Sequence, residues 1–278
     1  MIHQDTVVVT SVLLGLGTIE ILSGTYINSK RRKDDYIIDI VSVAQLAILI
    51  KPSIVFLSAW IVGSIFPTAH NCLSNLPLWL GVIIIFVPDE FLHYWYHRKG
   101  HEWNWLWNIH KTHHTSPDMN IGVSYRENWL WFVLMPNLWY AATMAFLGLG
   151  KAYVISTMLI GVVDVITHTS IKWDKFLYEY KFLKPFTWLV ERIVTLPSTH
   201  HAHHGIDEQS APMGNYATTL ILWDVIFGTS HFPHHYPTRY GIENDPKDKW
   251  YTQLWNVQFM RKKNHLQVTS SDSSKTGE

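Results

Sequence analysis

Apolar residues in this chain gather into long blocks divided by short polar links, and the length of each block sets the first expectation. Residues 6–27 form the first block, close to the ~20 residues a helix needs to cross hydrocarbon. It lacks the leading charges and small-residue cleavage site of a signal peptide, so it reads as a retained helix. Glu20 within it should face protein or water rather than lipid. The basic cluster Lys30, Arg31, Arg32 and Lys33 follows and marks the cytoplasmic side. Residues 36–66 are apolar but broken at Lys51-Pro52. They form either one long kinked helix or a span plus a re-entrant piece, because proline withholds a backbone donor. The polar link 68–75 has no Lys or Arg and reads as the opposite face. Residues 76–96 return the chain to the cytoplasmic side, where Arg98 and Lys99 sit. A last apolar hairpin, residues 129–166, dips into the membrane and turns near Gly148-Leu149-Gly150. The expected architecture is all-α: a multi-pass transmembrane helical bundle with a His-rich helical cap on its cytoplasmic face.

Composition narrows the function. Net charge is zero, which offers nothing to a nucleic acid. The single cysteine, Cys72, excludes a disulfide framework and any CxxC site. Charged residues make up 16% of the chain and aromatics 14%, with 14 tryptophans. That balance suits a protein with two membrane–water interfaces. Neither GxGxxG nor GxxxxGK[ST] occurs.

The chemistry lies in the histidines, of which there are 17. His97 and His101 are four residues apart, on one face of a helix. His110, His113 and His114 form HxxHH, and His200, His203 and His204 repeat it. His168 stands alone at the cytoplasmic end of an apolar helix. A lone histidine on an apolar face is usually a hydrogen-bonded structural residue, and one HxxxH carries little weight. Eight imidazoles packed together are different, because they would repel on protonation unless a metal holds them neutral. They also exceed what one ion can use, since even a structural zinc takes four ligands. Two ions with three to five imidazoles each account for the number. Such ligands suit iron, zinc, copper or nickel. Iron is preferred, because a membrane setting without a nucleophile motif points to oxygen chemistry.

At these residues the sequence resembles the fatty acid hydroxylase/sterol desaturase superfamily. The matching runs are EFLHYWYHRKGHEWNWLWNIHKTHHTSPDMNIGVSYR at residues 90–126, ITHTS at 166–170, and PSTHHAHHG followed by NYATTLILWDVIFGT within 196–229. The family box H-R-x-x-H selects His97 and His101 over the alternative pair His93 and His97. His93 becomes a residue behind the ligands. His201 sits at a variable position of its box and is not carried over. His231, His234 and His235 read as a surface cluster, and His3, His70 and His265 receive no role. Glu90 and Thr199 depart from the usual Asp and His, which leaves the substrate open.

The resemblance implies nine ligands: His97, His101, His110, His113, His114, His168, His200, His203 and His204. It implies two ferrous ions, with zinc as a substitute in isolated protein, and O2-dependent oxidation of a lipid C–H bond to an alcohol or an alkene. Electrons would come from an external donor, a cytochrome b5 or a ferredoxin-like protein. Ligating rings pass their other N–H to an acceptor, for which Asp164, Glu127 and Asp224 are candidates, while Asn215 and Trp223 follow the family's N-Y and W-D motifs. Trp129, Trp131, Trp139 and Tyr140 could line a substrate groove, although anchoring at the membrane interface is the more ordinary role for each. The expected divisions are 1–84, N-terminal transmembrane helices; 85–235, the catalytic domain; and 236–278, a polar C-terminal segment whose tail after Arg261 reads as disordered. The competing readings are a membrane zinc hydrolase of lipid esters or amides, which the missing HExxH signature disfavours, and a non-catalytic metal- or lipid-binding protein. The compartment stays open between a bacterial inner membrane and the endoplasmic reticulum.

Overall fold

A computed structural model describes residues 3–26, 29–208 and 210–255. The tail after Arg261, with His265, lies outside the described residues. Among those residues all regular structure is helical, with one isolated bridge between Gly205 and Tyr240. Three helical stretches are long and apolar enough to cross a membrane: Lys33–Ile65, Leu78–Glu102 and Pro136–His168. The first helix, α1 (His3–Leu22), has a shorter apolar part, Val7–Leu22. It ends where Gly24 takes a left-handed φ of 78° and the chain folds back. Glu20 is fully buried there. It accepts hydrogen bonds from the Thr169 hydroxyl (2.9 Å) and the Ser170 N–H (2.7 Å), which pins α1 to the residues just after His168.

The break at Lys51-Pro52 resolves as one continuous helix with a widened turn. Helix α2 (Lys33–Ala44) passes through a π-turn at Gln45–Ile50 into α3 (Lys51–Ile65). The Lys51 N–H reaches back five residues to the Leu46 carbonyl, so Pro52 enters the next turn at a position where its absent N–H is tolerated. The same bulge delivers buried Gln45, whose Nε2 donates to the Glu127 carbonyl at 3.1 Å.

Helix α4 (Leu78–Glu102) contains Pro88, which deprives the Ile84 carbonyl of its helical donor. The Tyr140 hydroxyl donates to that carbonyl at 2.6 Å, the kind of repair that makes an internal proline tolerable in lipid. Helix α5 (Asn104–His114) follows after a one-residue break at Trp103. The hairpin consists of α6 (Trp129–Leu134), α7 (Pro136–Met144) and α8 (Gly150–His168), joined across a turn at Gly148. Gly148 has φ +110°, and a Cβ there would lie 2.8 Å from the Ser74 nitrogen. Backbone bonds from Asn71 and Leu73 to Phe146 and Leu147 hold this tip against the 68–75 link, so the two lie at the same end of the bundle.

Short helices α9 (Lys175–Glu179), α10 (Lys184–Val190), α11 (Pro197–His204), α12 (Leu222–Ile226) and α13 (Trp250–Trp255) build the opposite end. The flanks of the histidine-bearing region are bonded into it. The Thr112 hydroxyl donates to the Gln253 carbonyl (3.0 Å), and Trp255 Nε1 donates to the Gln45 side chain (3.2 Å). From the N-terminal side, Asp35 and Asp39 pair with Arg126 at 2.8 and 3.1 Å, with Arg126 fully buried. Removing one partner of such a group leaves buried charge uncompensated, at a cost on the order of 3–5 kcal/mol. Arg126→Ala is therefore expected to lower the thermal midpoint in detergent by several degrees, and an unchanged midpoint would show the network to be dispensable.

Candidate metal centre

Helix geometry sorts the histidines into two groups. In a helix, residues i and i+4 point nearly the same way, whereas i+3 points to the other side of that stripe. His110 and His114 of α5 accordingly join His97 and His101 of α4, while His113 turns away. In α11 the roles exchange: His200 and His204 join His113 and His168, and His203 crosses to the first group. The outcome is one cluster of five (His97, His101, His110, His114, His203) and one of four (His113, His168, His200, His204), all buried, with the ligand atoms of each within 4.8 Å of one another. The clusters adjoin, for the His114 and His204 rings stack across the boundary with centroids 4.4 Å apart. All nine histidines proposed from the sequence fall in these clusters, and no other histidine among the described residues does.

The proton positions show what the clusters suit. His97 Nδ1 lies 2.6 Å from the Tyr216 carbonyl, and His203 Nδ1 lies 2.7 Å from the Gly214 carbonyl. A carbonyl only accepts, so both rings carry the proton on Nδ1 and present a bare lone pair at Nε2. Those two lone pairs face each other at 3.1 Å, an arrangement that calls for a cation between them. His168 likewise donates from Nδ1 to the Asp164 carbonyl (2.7 Å), and its Nε2 lies 2.9 Å from His200 Nε2. Across both clusters the facing nitrogens stand 2.9–3.5 Å apart. Such separations would suit neighbouring ligands of an ion with metal–nitrogen bonds of roughly 2.1 Å. The donor set therefore fits two metal ions.

Burial holds the imidazoles neutral. It pushes His110, His113, His114, His200 and His204 well below 6.5, with neighbouring imidazoles adding to the effect. Burial lowers His203 to about 4. The unfolded chain takes up protons near the ordinary imidazole pKa of about 6.5, and the folded clusters refuse them. Metal-free protein should thus hold its full stability above that value and lose it as pH falls below. A thermal midpoint that stays flat from about pH 7.5 down to pH 5.5 would contradict this.

Acceptors behind the ligands differ in part from those the sequence suggested. Glu127 Oε1 accepts the hydrogen bond of His110 Nδ1–H at 3.0 Å, and lies 3.8 Å from His113 Nδ1, too far for a hydrogen bond to the second cluster. Asp164 holds His168 mainly through its backbone carbonyl, its carboxylate standing at 3.5 Å. Asn215 does not touch a ligand ring. It adopts a left-handed φ of 56°, tolerable for asparagine, and its neighbours Gly214 and Tyr216 supply the carbonyls for His203 and His97. Asp224 is one step further out, accepting the Tyr216 and Ala217 N–H groups at 2.9 and 2.8 Å and so fixing that turn. Glu90, where the family has Asp, accepts the Thr219 and Leu220 N–H groups, both at 2.8 Å. His93 lies edge-on to His97 with centroids 5.7 Å apart.

Three further histidines make contacts outside the clusters. His201 places Nε2 3.1 Å from the Thr169 carbonyl and Nδ1 3.0 Å from the Tyr240 hydroxyl, so both its nitrogens are used. His234 pairs with Glu191 at 2.7 Å, and His235 Nδ1 meets the Pro233 carbonyl at 2.6 Å. A cavity of about 130 Å³ opens onto both clusters, touching His97, His110, His113, His168 and His200. Leu46, Phe132, Met135, Leu138 and Ile160 form its apolar walls, and His93 and Glu127 reach it too. Of the four aromatics weighed for a substrate groove, only Trp131 borders this cavity, stacked on His110 with centroids 4.1 Å apart. Trp139 and Tyr140 turn to backbone carbonyls of Val133 and Ile84. Trp129 lines a separate groove with Trp255.

All-helical described residues, membrane-length helices and two buried histidine clusters that could each hold a metal ion define the class: a membrane-associated protein with a candidate metal centre. Residues 82–229, more than half of the chain, match the fatty acid hydroxylase family, and the chain belongs to it. It is 30% identical to alkylglycerol monooxygenase of Homo sapiens over 64% of this chain and 37% of the relative. It is also 30% identical to the Xenopus tropicalis protein of that name, over 57% and 32%. Methylsterol monooxygenase of Aspergillus fumigatus is 27% identical over 53% and 46%. The chain thus spans about a third of the length of the alkylglycerol monooxygenases. No solved structure matches it.

Proposed function

We propose that this chain uses O2 to hydroxylate a C–H bond of a membrane lipid, with two iron ions held by the nine histidines. The observation that carries the reading is the pair of bare lone pairs on His97 and His203, 3.1 Å apart, within the larger division into five and four. Membership of the family and the monooxygenase names of the relatives support the same chemistry.

His97, His101, His110, His114 and His203 would hold one ion, and His113, His168, His200 and His204 the other. Bound there, iron would supply reduction of O2 and removal of hydrogen from the lipid. Glu127 and the carbonyls of Gly214, Tyr216 and Asp164 keep protons on Nδ1 and aim Nε2 inward. Trp131, Phe132 and Met135 exclude water and hold the lipid chain beside the clusters. One oxygen atom enters the lipid as a hydroxyl and the other leaves as water, with two electrons and two protons delivered from outside. A cytochrome b5 or ferredoxin-like protein fits that role. The site faces the cytoplasm in this reading, with residues 85–235 as the catalytic unit, and zinc could replace iron in isolated protein.

The test is comparative lipid mass spectrometry of cells with and without the gene, aerobically and anaerobically, followed by assay on an alkylglycerol and a methylsterol. The expected result is a lipid that gains one oxygen atom only with O2, whereas turnover without O2 or reductant would favour hydrolysis and overturn the proposal.

A further inference from the structure

The segment that joins the helix of His168 to the helix of His200 presents an apolar surface to the outside. Phe182 is 78% exposed, and Phe176, Tyr180, Phe186, Trp188 and Leu189 lie between 46% and 57%. Lys172, Lys175, Lys181 and Lys184 are exposed among them. The acidic balance is slight. Glu179 is exposed and pairs with Lys175 at 3.3 Å, while Asp174 and Glu191 are buried.

Three features identify what this surface meets. Helices α9 and α10 have five and seven residues, about 7–11 Å of length, so the segment cannot cross a membrane. Its level is fixed, because α8 closes a membrane-length stretch at His168 and α11 opens at Pro197. The buried Asp174 carboxylate accepts the Ser198 N–H at 2.9 Å and the Tyr236 hydroxyl, and the Tyr178 hydroxyl lies 2.9 Å from Ser198 Oγ. The Thr187 hydroxyl donates to the Leu177 carbonyl at 2.8 Å and ties α10 to α9. The segment is therefore tethered close to the end of α8, the end of a membrane-length stretch. Its mixture of aromatics and lysines is that of a headgroup boundary, whereas the core of a protein–protein interface is depleted of lysine.

We propose that residues 173–193 are an interfacial anchor that beds into the headgroup–acyl boundary of an anionic leaflet, on the face that holds the histidine clusters. The rings enter the acyl region, and the lysines extend back along them to the phosphates. This inference is independent of the metal and of the reaction. Through Asp174 and Ser198 the anchor also braces α11, so the leaflet and the second histidine box are mechanically joined.

The test uses the full chain with Cys72→Ser, reconstituted in vesicles of phosphatidylcholine alone or mixed with phosphatidylglycerol. Spin labels at Phe182→Cys and Phe186→Cys are compared for collision with O2, which concentrates in acyl chains, and with a nickel chelate, which stays in water. Both labels should favour O2, and more strongly with phosphatidylglycerol. That increment should disappear when Lys175, Lys181 and Lys184 become Gln. Two sites are used so that one variant failing to fold leaves the other to decide. Labels open to the nickel chelate would overturn the proposal, as would labels shielded from both reagents, which would mean a protein partner or a second copy covers the patch. Immersion indifferent to phosphatidylglycerol would overturn the anionic assignment.

Discussion

His113→Ala is expected to leave the purified protein with one tightly held ion per chain and to reduce product formation more than ~100-fold, beyond the loss typical of residues behind the ligands. The reason lies in the division of the boxes. His113 belongs to the four-histidine cluster, and its loss leaves His168, His200 and His204. His114, its neighbour in sequence, belongs to the five-histidine cluster, and His114→Ala still leaves four imidazoles there. The two substitutions are as alike as mutations can be, yet they should differ in metal retained. Metal analysis beside a product assay reads the difference. Equal loss from both variants would contradict the division into five and four.

The second large effect falls on Glu127. Its Oε1 contacts His110 of one cluster at 3.0 Å and approaches His113 of the other at 3.8 Å. Its backbone is held in turn by Ser42, whose hydroxyl lies 2.9 Å from the Glu127 carbonyl. Removing an acceptor behind a metal-bound histidine costs about 10–100-fold in metal affinity or activity. Glu127→Ala should therefore weaken the five-histidine site, through His110, by roughly that amount. Glu127→Gln retains an oxygen for His110 and should fall nearer the tenfold end. Metal titration separates this from a loss of fold, since a residue that only supported the fold would lower the thermal midpoint without shifting affinity. Unaltered affinity in Glu127→Ala would remove the carboxylate from the account.

Much of the candidate site was legible in the sequence because imidazoles at i and i+4 share one face of a helix, as the pairs His97/His101, His110/His114 and His200/His204 do. All nine histidines chosen on that basis and on the family boxes lie in the two clusters. Gly148 marked the hairpin turn correctly, as a position where a side chain has no room. Spacing alone did not separate the pair His97 and His101 from His93 and His97, since both are four apart. Nor did it reveal the exchange of His113 and His203 between clusters, which depends on how α5 and α11 face each other. The acceptors from Gly214 and Tyr216 were hidden for another reason: a backbone carbonyl has no letter of its own. Asn215 was noticed there, but its contribution is a left-handed backbone that turns those carbonyls inward. The sequence left the aromatics near the site open between groove lining and interfacial anchoring, because an interfacial tryptophan and a cavity tryptophan look alike in sequence. Only Trp131 proved to border the cavity. The break at Lys51-Pro52 was legible, but not which of two outcomes it signalled, because the π-turn at Gln45–Ile50 that keeps the helix continuous leaves no mark in the residue pattern.

Metal analysis of the purified full chain, produced with ferrous iron supplied, tests the central claim most directly. The geometry of the clusters predicts two ions per chain, and the proposed oxygen chemistry requires them to be iron. One ion per chain, or none, would contradict it.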